Sequence, residues 1–195
     1  MQLPLNLFFT GVPGSRWSGI ASALMQLNGM NISDQSPERT YLRTDPEAFG
    51  GHQGVYFGKQ MEYEPLLDQT HIDQAWTESG GCKLVKSHDW ADMLDDVKLQ
   101  FPDDWIMLVY RPDAQCLTWW NKGGGFAINY PNYSAYENQD KMVVDIARTN
   151  NAMLKFANKH QLSWNYFNTK WIKDNFDQDV VTDLNWSDVL VTILK

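Results

Sequence analysis

The sequence predicts an α/β protein of three layers, with helices on both faces of a central, mostly parallel sheet. Three observations lead there. LNLFFT at 5–10 and WIMLVY at 105–110, with CKLVKS at 82–87, are short apolar runs that read as buried strands. Helical periodicity separates them, and strands alternating with helices build parallel sheets covered on both sides. The chain has 195 residues, 43% hydrophobic and 21% charged, which suits one globular domain over residues 1–195 with a substantial core.

Taken in order, residues 5–10 open the chain as a strand and Gly11–Ser15 form a turn. Ile20, Ala23, Leu24 and Leu27 recur at helical spacing, and Asn28-Gly29 supplies the stop. Residues 30–80 are polar and irregular, with Pro, Gly and aromatics mixed. A stretch this long inside a compact domain is often functional. CKLVKS is the second strand, and DWADMLDDVKLQF after it is helical.

WIMLVY is the strongest strand signal in the chain, and Pro112 directly follows Arg111. Proline disfavours helix at the residue before it but suits a helix's first position. Arg111 is therefore expected extended at the strand's end, with a helix opening just beyond. WWNKGGGFAINYPNY breaks that helix, and KGGG at 122–125 is most simply flexible chain. Residues 135–160 give the longest helix, with Met142, Ile146, Met153, Leu154 and Ala157 inward. LSWNYFN at 162–168 reads as a late strand, and Asp188–Leu194 fits helix and strand equally.

Charge and composition narrow the function. A net charge of −8 argues against a general nucleic-acid binder, which needs a basic face. It leaves room for a small anion held by local cations. Cys82 and Cys116 do not make a disulfide framework, so a reducing cytoplasm is expected. No apolar run reaches the length of a membrane span. MQLPLNLFF lacks a basic n-region and reads as a first core strand rather than a signal peptide. No ligand cluster suggests a metal, and His52, His71 and His160 read as surface residues.

The chemistry gathers at strand ends. FFTGVPGSRWSGI, residues 8–20, runs strand, glycine turn, helix, which is where P-loop proteins hold phosphate. The lysine of such a loop is absent, and Arg16 and Trp17 stand in its heart. Ser15, Arg16 and Ser18 follow the first strand, Lys86, Ser87 and His88 end the second, and Arg111 ends the third. In open α/β sheets ligands bind beyond the carboxyl ends of the strands. If these strands are neighbours, the three sets share one rim.

In this order TGVPGSRWSG, KLVKSHDW and WIMLVYRPDAQCLTWW resemble the motifs of sulfotransferases that use 3′-phosphoadenosine 5′-phosphosulfate (PAPS), from residue 5 to about 170. The family's layout is a phosphate loop, then Lys-Ser/Thr-His, then an apolar strand ending in Arg with Ser or Thr about two helical turns on. SWNYFN falls where the family has a strand after its long helix. The family's loop is similar to Pro-Lys/Arg-Ser-Gly-Thr-Thr. Pro13 and Ser15 match it, and Ser18 stands at the second hydroxyl. Gly14 replaces the basic residue, Arg16 the glycine and Trp17 the first threonine. The step from Arg111 to Thr118 is one residue shorter than usual, and the late Arg-Lys-Gly segment is not evident.

The resemblance implies a P-loop-type fold, PAPS as co-substrate, its bisphosphate (PAP) as product, and no metal. Pro13, Gly14, Ser15, Arg16, Trp17 and Ser18 would cradle the 5′ end of the nucleotide, and Arg111 and Thr118 would hold its 3′-phosphate. His88 would be the general base, since imidazole titrates near neutral pH. Lys86, on the same strand face, would steady the transferring group. Arg16 would replace the missing loop cation, or else point away and pack on Trp17. Plainer readings stand beside these: Arg111 pairing with Asp113, and Thr118 hydrogen-bonding within its helix.

The implied acceptor is a hydroxyl of a small molecule or carbohydrate, with no nucleic acid or membrane partner. Residues 30–80 and 121–136 would form substrate-side loops or short helices. Their aromatics Tyr56, Phe57, Tyr63, Phe126, Tyr130 and Tyr133 suit a sugar or planar alcohol. Trp17, Trp90, Trp119 and Trp120 are candidates to line a base or sugar. The alternatives are a nucleotide-binding but catalytically degenerate relative, or a P-loop kinase or NTPase. The kinase would need Gly-Lys-Ser/Thr where residues 16–18 are Arg-Trp-Ser.

Overall fold

Asn6–Gly11 (β1) is buried at every position, as a strand with neighbours on both edges requires. Its successive side chains point to opposite faces. Phe8 packs against Trp90 and Phe101, with ring centroids 5.2 and 4.9 Å away. Phe9 packs against Trp17 at 5.9 Å. Both faces of this strand are therefore covered by aromatic side chains. The computed structural model describes residues 2–33, 66–123, 125–127, 136–180 and 186–195.

Cys82–Lys86 (β3) pairs parallel to one edge of β1, with Lys86 opposite Phe9. Trp105–Tyr110 (β4) pairs parallel to the other edge, with Val109 opposite Gly11. Met30–Asn31 (β2) extends the sheet parallel to β3. Leu190–Leu194 (β6) lies antiparallel on β4, and Asn165–Tyr166 (β5) antiparallel on β6. The order is β2-β3-β1-β4-β6-β5, a mostly parallel, mixed sheet of six strands. β3, β1 and β4 are adjacent, so the carboxyl ends of the three strands read from sequence do share one rim.

The helices are Trp17–Leu24 (α1), Gln69–Gln74 (α2), Leu94–Gln100 (α3), Asp113–Lys122 (α4), Gln139–Lys159 (α5) and Thr169–Phe176 (α6). The amide side chain of Asn138 caps α5 by accepting from the Lys141 N–H at 3.0 Å. Met142, Ile146, Met153 and Ala157 are buried along it, and Leu154 is half-buried. α5 packs on α4, α3 and β4.

Several elements depart from the sequence reading. The late strand expected at 162–168 contracts to Asn165–Tyr166, because Asn168 caps α6 and turns Phe167 into the core. In the ambiguous 188–194 stretch, Leu190–Leu194 is strand, held antiparallel by β4, and Asp188 lies in the turn before it. Pro112 caps α4 from outside with an extended ψ of 137°, so the helix opens one residue later than expected. DWADMLDDVKLQF splits into a 3-10 turn, Asp89–Asp92, and α3. Within 30–80 the structure holds β2 and α2, and 34–65 lie outside the described residues, His52, Tyr56, Phe57 and Tyr63 among them. Within 121–136, α4 runs to Lys122 and Gly125–Ala127 form a 3-10 turn. Residues 124 and 128–135, with Tyr130 and Tyr133, lie outside the description. Among the described residues, no helix is long and apolar enough to cross a membrane.

Candidate functional site

The loop after β1 is built by a tight turn. The Ser15 N–H donates to the Val12 carbonyl at 3.0 Å, with Pro13 and Gly14 between them. Gly14 has φ +80°, the value a type II turn demands at its third residue, and proline suits the second. A Cβ on Gly14 would lie 2.0 Å from the carbonyl oxygen of Cys116 in α4, so no side chain fits there. The next non-glycine exception is Arg16, left-handed at φ 66°, which stands as N-cap of α1 without a side-chain cap bond. The first N–H groups of a helix have no partner within it.

α4 presses on the loop at position 14. The backbone at 16 holds a conformation that a glycine adopts without strain, yet an arginine stands there. Holding a non-glycine residue in this region costs on the order of 1–3 kcal/mol. Part of it is offset by aromatic contacts. The Arg16 guanidinium lies 4.1 Å from the Trp119 ring centroid and 5.1 Å from that of Trp186. It does not pack on Trp17.

Trp17 turns inward instead. It is buried, stacks on His88 with ring centroids 3.8 Å apart, and has Lys86 Nζ 4.5 Å from its ring centroid. The buried Lys86 and half-buried His88 therefore meet at Trp17, beneath the loop. The His88 ring donates Nδ1–H to the Gly11 carbonyl. That bond places the lone pair on Nε2, the arrangement a general base needs. Ser87, buried, accepts the Asp89 N–H at 3.2 Å and so shapes the turn carrying His88.

Arg111 closes the loop from the other side. It is buried, donates to the Gly14 carbonyl at 3.0 Å, and forms an ion pair with Asp188. Its own carbonyl accepts from Asn150 Nδ2 at 2.9 Å. Asp113, the partner suggested by sequence, instead accepts from Asn150 at 2.6 Å. Thr118 is exposed and donates its hydroxyl to the Ala114 carbonyl at 2.8 Å, the plainer of its two readings. Trp186 packs so tightly over α1 that a Cβ on Gly19 would fall 2.5 Å from its ring.

Arg16 and Arg111 both lie over the Trp119 ring, with Asp188 paired to Arg111, while Lys86 lies against Trp17. Burial lowers the Arg16 pKa, Arg111 lowers it further, and Asp188 works the other way. The hydroxyls of Ser15 and Ser18, and the Nε atoms of Arg16 and Arg111, are buried with no hydrogen-bond partner among the described residues. Such groups are rare in native structures, and an oxyanion would satisfy them.

Sequence reasoning missed Asp188 and Trp186. Their signal was faint: 188–194, read as a strand antiparallel to β4, would begin beside Arg111, and the register Tyr110 to Leu190 does bring it there. Trp90 and Trp120 are core residues; Trp119 is the half-exposed one of the four tryptophans singled out. His160 is half-buried, tilted against Phe156 with ring centroids 4.3 Å apart, and 3.6 Å from an Asp95 oxygen. No family model matches the chain, and no curated protein or solved structure matches it.

Proposed function

We propose that this chain is a PAPS-dependent sulfotransferase that transfers a sulfuryl group to a hydroxyl of a small-molecule or carbohydrate acceptor in the cytoplasm, on a three-layer P-loop-type domain. One observation carries the reading. His88 and Arg111, distant in sequence and just past the ends of the strands flanking β1, each hydrogen-bond a glycine carbonyl where β1 runs into its loop, Gly11 and Gly14. Base and anion-holding cation thus border one helix N-terminus.

The loop fits the 5′ end of the nucleotide. Ser15, Ser18 and Arg16 hold unspent donors around the first turn of α1. Sulfuryl transfer, like phosphoryl transfer, is mostly alignment and charge stabilisation. In this reading the α1 amides and Arg16 hold the phosphate that departs, and Lys86 stabilises the rim electrostatically from beneath Trp17. His88 Nε2 takes the acceptor hydroxyl's proton as its oxygen attacks sulfur.

The 3′-phosphate end fits less well, since Arg111 is engaged by Asp188 and Thr118 by its own helix. That observation favours the second reading, a relative that has lost catalysis. Titration calorimetry with adenosine 3′,5′-bisphosphate and with Mg-ATP decides among them, followed by transfer from labelled PAPS to an acceptor panel. Metal-independent binding of the bisphosphate with label transfer supports the proposal. Binding without transfer supports the degenerate relative, preference for Mg-ATP a kinase, and no binding of either ends the nucleotide reading.

A further inference from the structure

We propose that Asp188 is a built-in competitor for the anion site: its carboxylate occupies Arg111 in the ligand-free protein, and a ligand phosphate must displace it. The inference rests on the reading of this rim as a nucleotide site. It makes Asp188 a specificity-determining residue, one that weakens ligands whose second phosphate must take the carboxylate's place more than it weakens ligands with a single phosphate.

Three features of the geometry support exchange over a fixed brace. Asp188 is the outer member of the pair, with its side chain 28% exposed against 6% for Arg111. The carboxylate therefore lies between the guanidinium and water, and can leave towards solvent. Arg111 does not depend on Asp188 alone for its position, because it also donates to the Gly14 carbonyl. Finally, among the described residues Asp188 is the carboxylate that acts on both guanidiniums. Arg16 feels both the attraction of Asp188 and the repulsion of Arg111, and the two guanidiniums lie 4.1 and 5.5 Å from the Trp119 ring centroid. Two arginines that repel each other across one monoanion are better matched by a dianionic phosphate.

Arg111 is buried, but it keeps its bond to the Gly14 carbonyl when Asp188 loses its charge. Asp188→Asn keeps the size and an acceptor oxygen for Arg111 while removing the charge, so it is expected to fold. Calorimetry compares wild type and D188N with adenosine 3′,5′-bisphosphate and with adenosine 5′-monophosphate. The competitor role requires D188N to bind the bisphosphate about tenfold tighter or more, with a smaller gain for the monophosphate. Weaker binding by D188N makes Asp188 a brace and overturns the inference. Equal gains for both ligands reduce it to a general field effect and also overturn it. In these outcomes the wild type still binds the bisphosphate, and the nucleotide reading stands. If neither protein binds it, both the reading and the inference fall. A crystal structure of the wild-type complex gives a check free of any variant: Asp188 must be off Arg111, and an intact ion pair beside bound bisphosphate overturns the exchange.

Discussion

Gly14 and the Cys116 carbonyl lie so close that α4 fixes the identity of the loop residue facing it. A Cβ at 14 would reach 2.0 Å from that oxygen, at a φ of +80°. Gly14→Ala is expected to destabilise the protein by roughly 2–4 kcal/mol, the sum of a strained backbone and overpacking against backbone that cannot yield. Urea unfolding should show a lower midpoint with an unchanged slope. A midpoint within error of wild type would show that α4 and the loop are not pressed together. A lysine at this position would be worse still, since it adds bulk at the same clash.

Arg16 has the converse character. Arg16→Gly removes left-handed strain and also the contacts with Trp119 and Trp186. Strain relief of about 1 kcal/mol and a lost cation–π contact of roughly 0.5–2 kcal/mol nearly cancel. Stability is expected to hold within about 1 kcal/mol, while affinity for adenosine 3′,5′-bisphosphate falls ten- to a hundredfold, the worth of a charge-assisted hydrogen bond. Unchanged affinity in calorimetry would leave Arg16 as an aromatic-packed surface residue.

This contrast shows what the sequence could convey. β1, β3 and β4 were legible because each is a buried run with a polar group at its end, and parallel pairing then dictates the shared rim. β2 was not, because two residues, Met30 and Asn31, carry no period. The 188–194 stretch that holds β6 was ambiguous because Val189, Leu190, Val191, Ile193 and Leu194 satisfy either period; only pairing with β4 decides. In the site, the position of His88 could be read from strand order. The direction of Arg16 could not, because Trp119 and Trp186 choose its rotamer from other parts of the chain. Thr118 shows the limit of spacing arguments: a helix turn brought the hydroxyl to Ala114 first.

The two thiols should be inert while the protein is folded. Burial pushes both Cys82 and Cys116 up to about 12, with Asp104 adding for Cys82 and the field of Asp113 and Asp188 adding for Cys116 against Arg111. At pH 8 only about one thiol in ten thousand is ionised, and the thiolate is the reactive form. Labelling by a disulfide reagent should therefore follow unfolding and should not slow when bisphosphate is absent from a stable native sample. Rapid labelling of Cys116 in native buffer would contradict the packing of α4 against the loop, and rapid labelling of Cys82 the burial of β3.

Arg111 tests the nucleotide's second phosphate. Arg111→Ala leaves Asp188 without its partner and removes the donor to Gly14, so a loss of about 2–3 kcal/mol of stability is expected for this pair, which is open to solvent on one side. The specific outcome is a difference between ligands. Affinity for adenosine 3′,5′-bisphosphate should fall much more than affinity for adenosine 5′-monophosphate, measured on folded protein at one temperature. Equal losses would place Arg111 in the scaffold and take the 3′-phosphate elsewhere.

His88 is both a prop and the proposed base, and the two roles separate by substitution. Its Nδ1–H holds the Gly11 carbonyl, its ring supports Trp17, and its Nε2 carries the lone pair. His88→Ala removes all three and should cut transfer by about 10²–10⁴-fold while sparing bisphosphate affinity. His88→Asn presents an amide N–H near the Nδ1 position, so it can keep the bond to Gly11, but it has no basic nitrogen. If Nε2 acts as the base, the Asn variant should lose as much rate as the Ala variant, about 10²–10⁴-fold, and should retain more of the thermal stability. If the Asn variant instead transfers at near the wild-type rate, the histidine serves only to hold the loop, and the proton must leave the acceptor by another path.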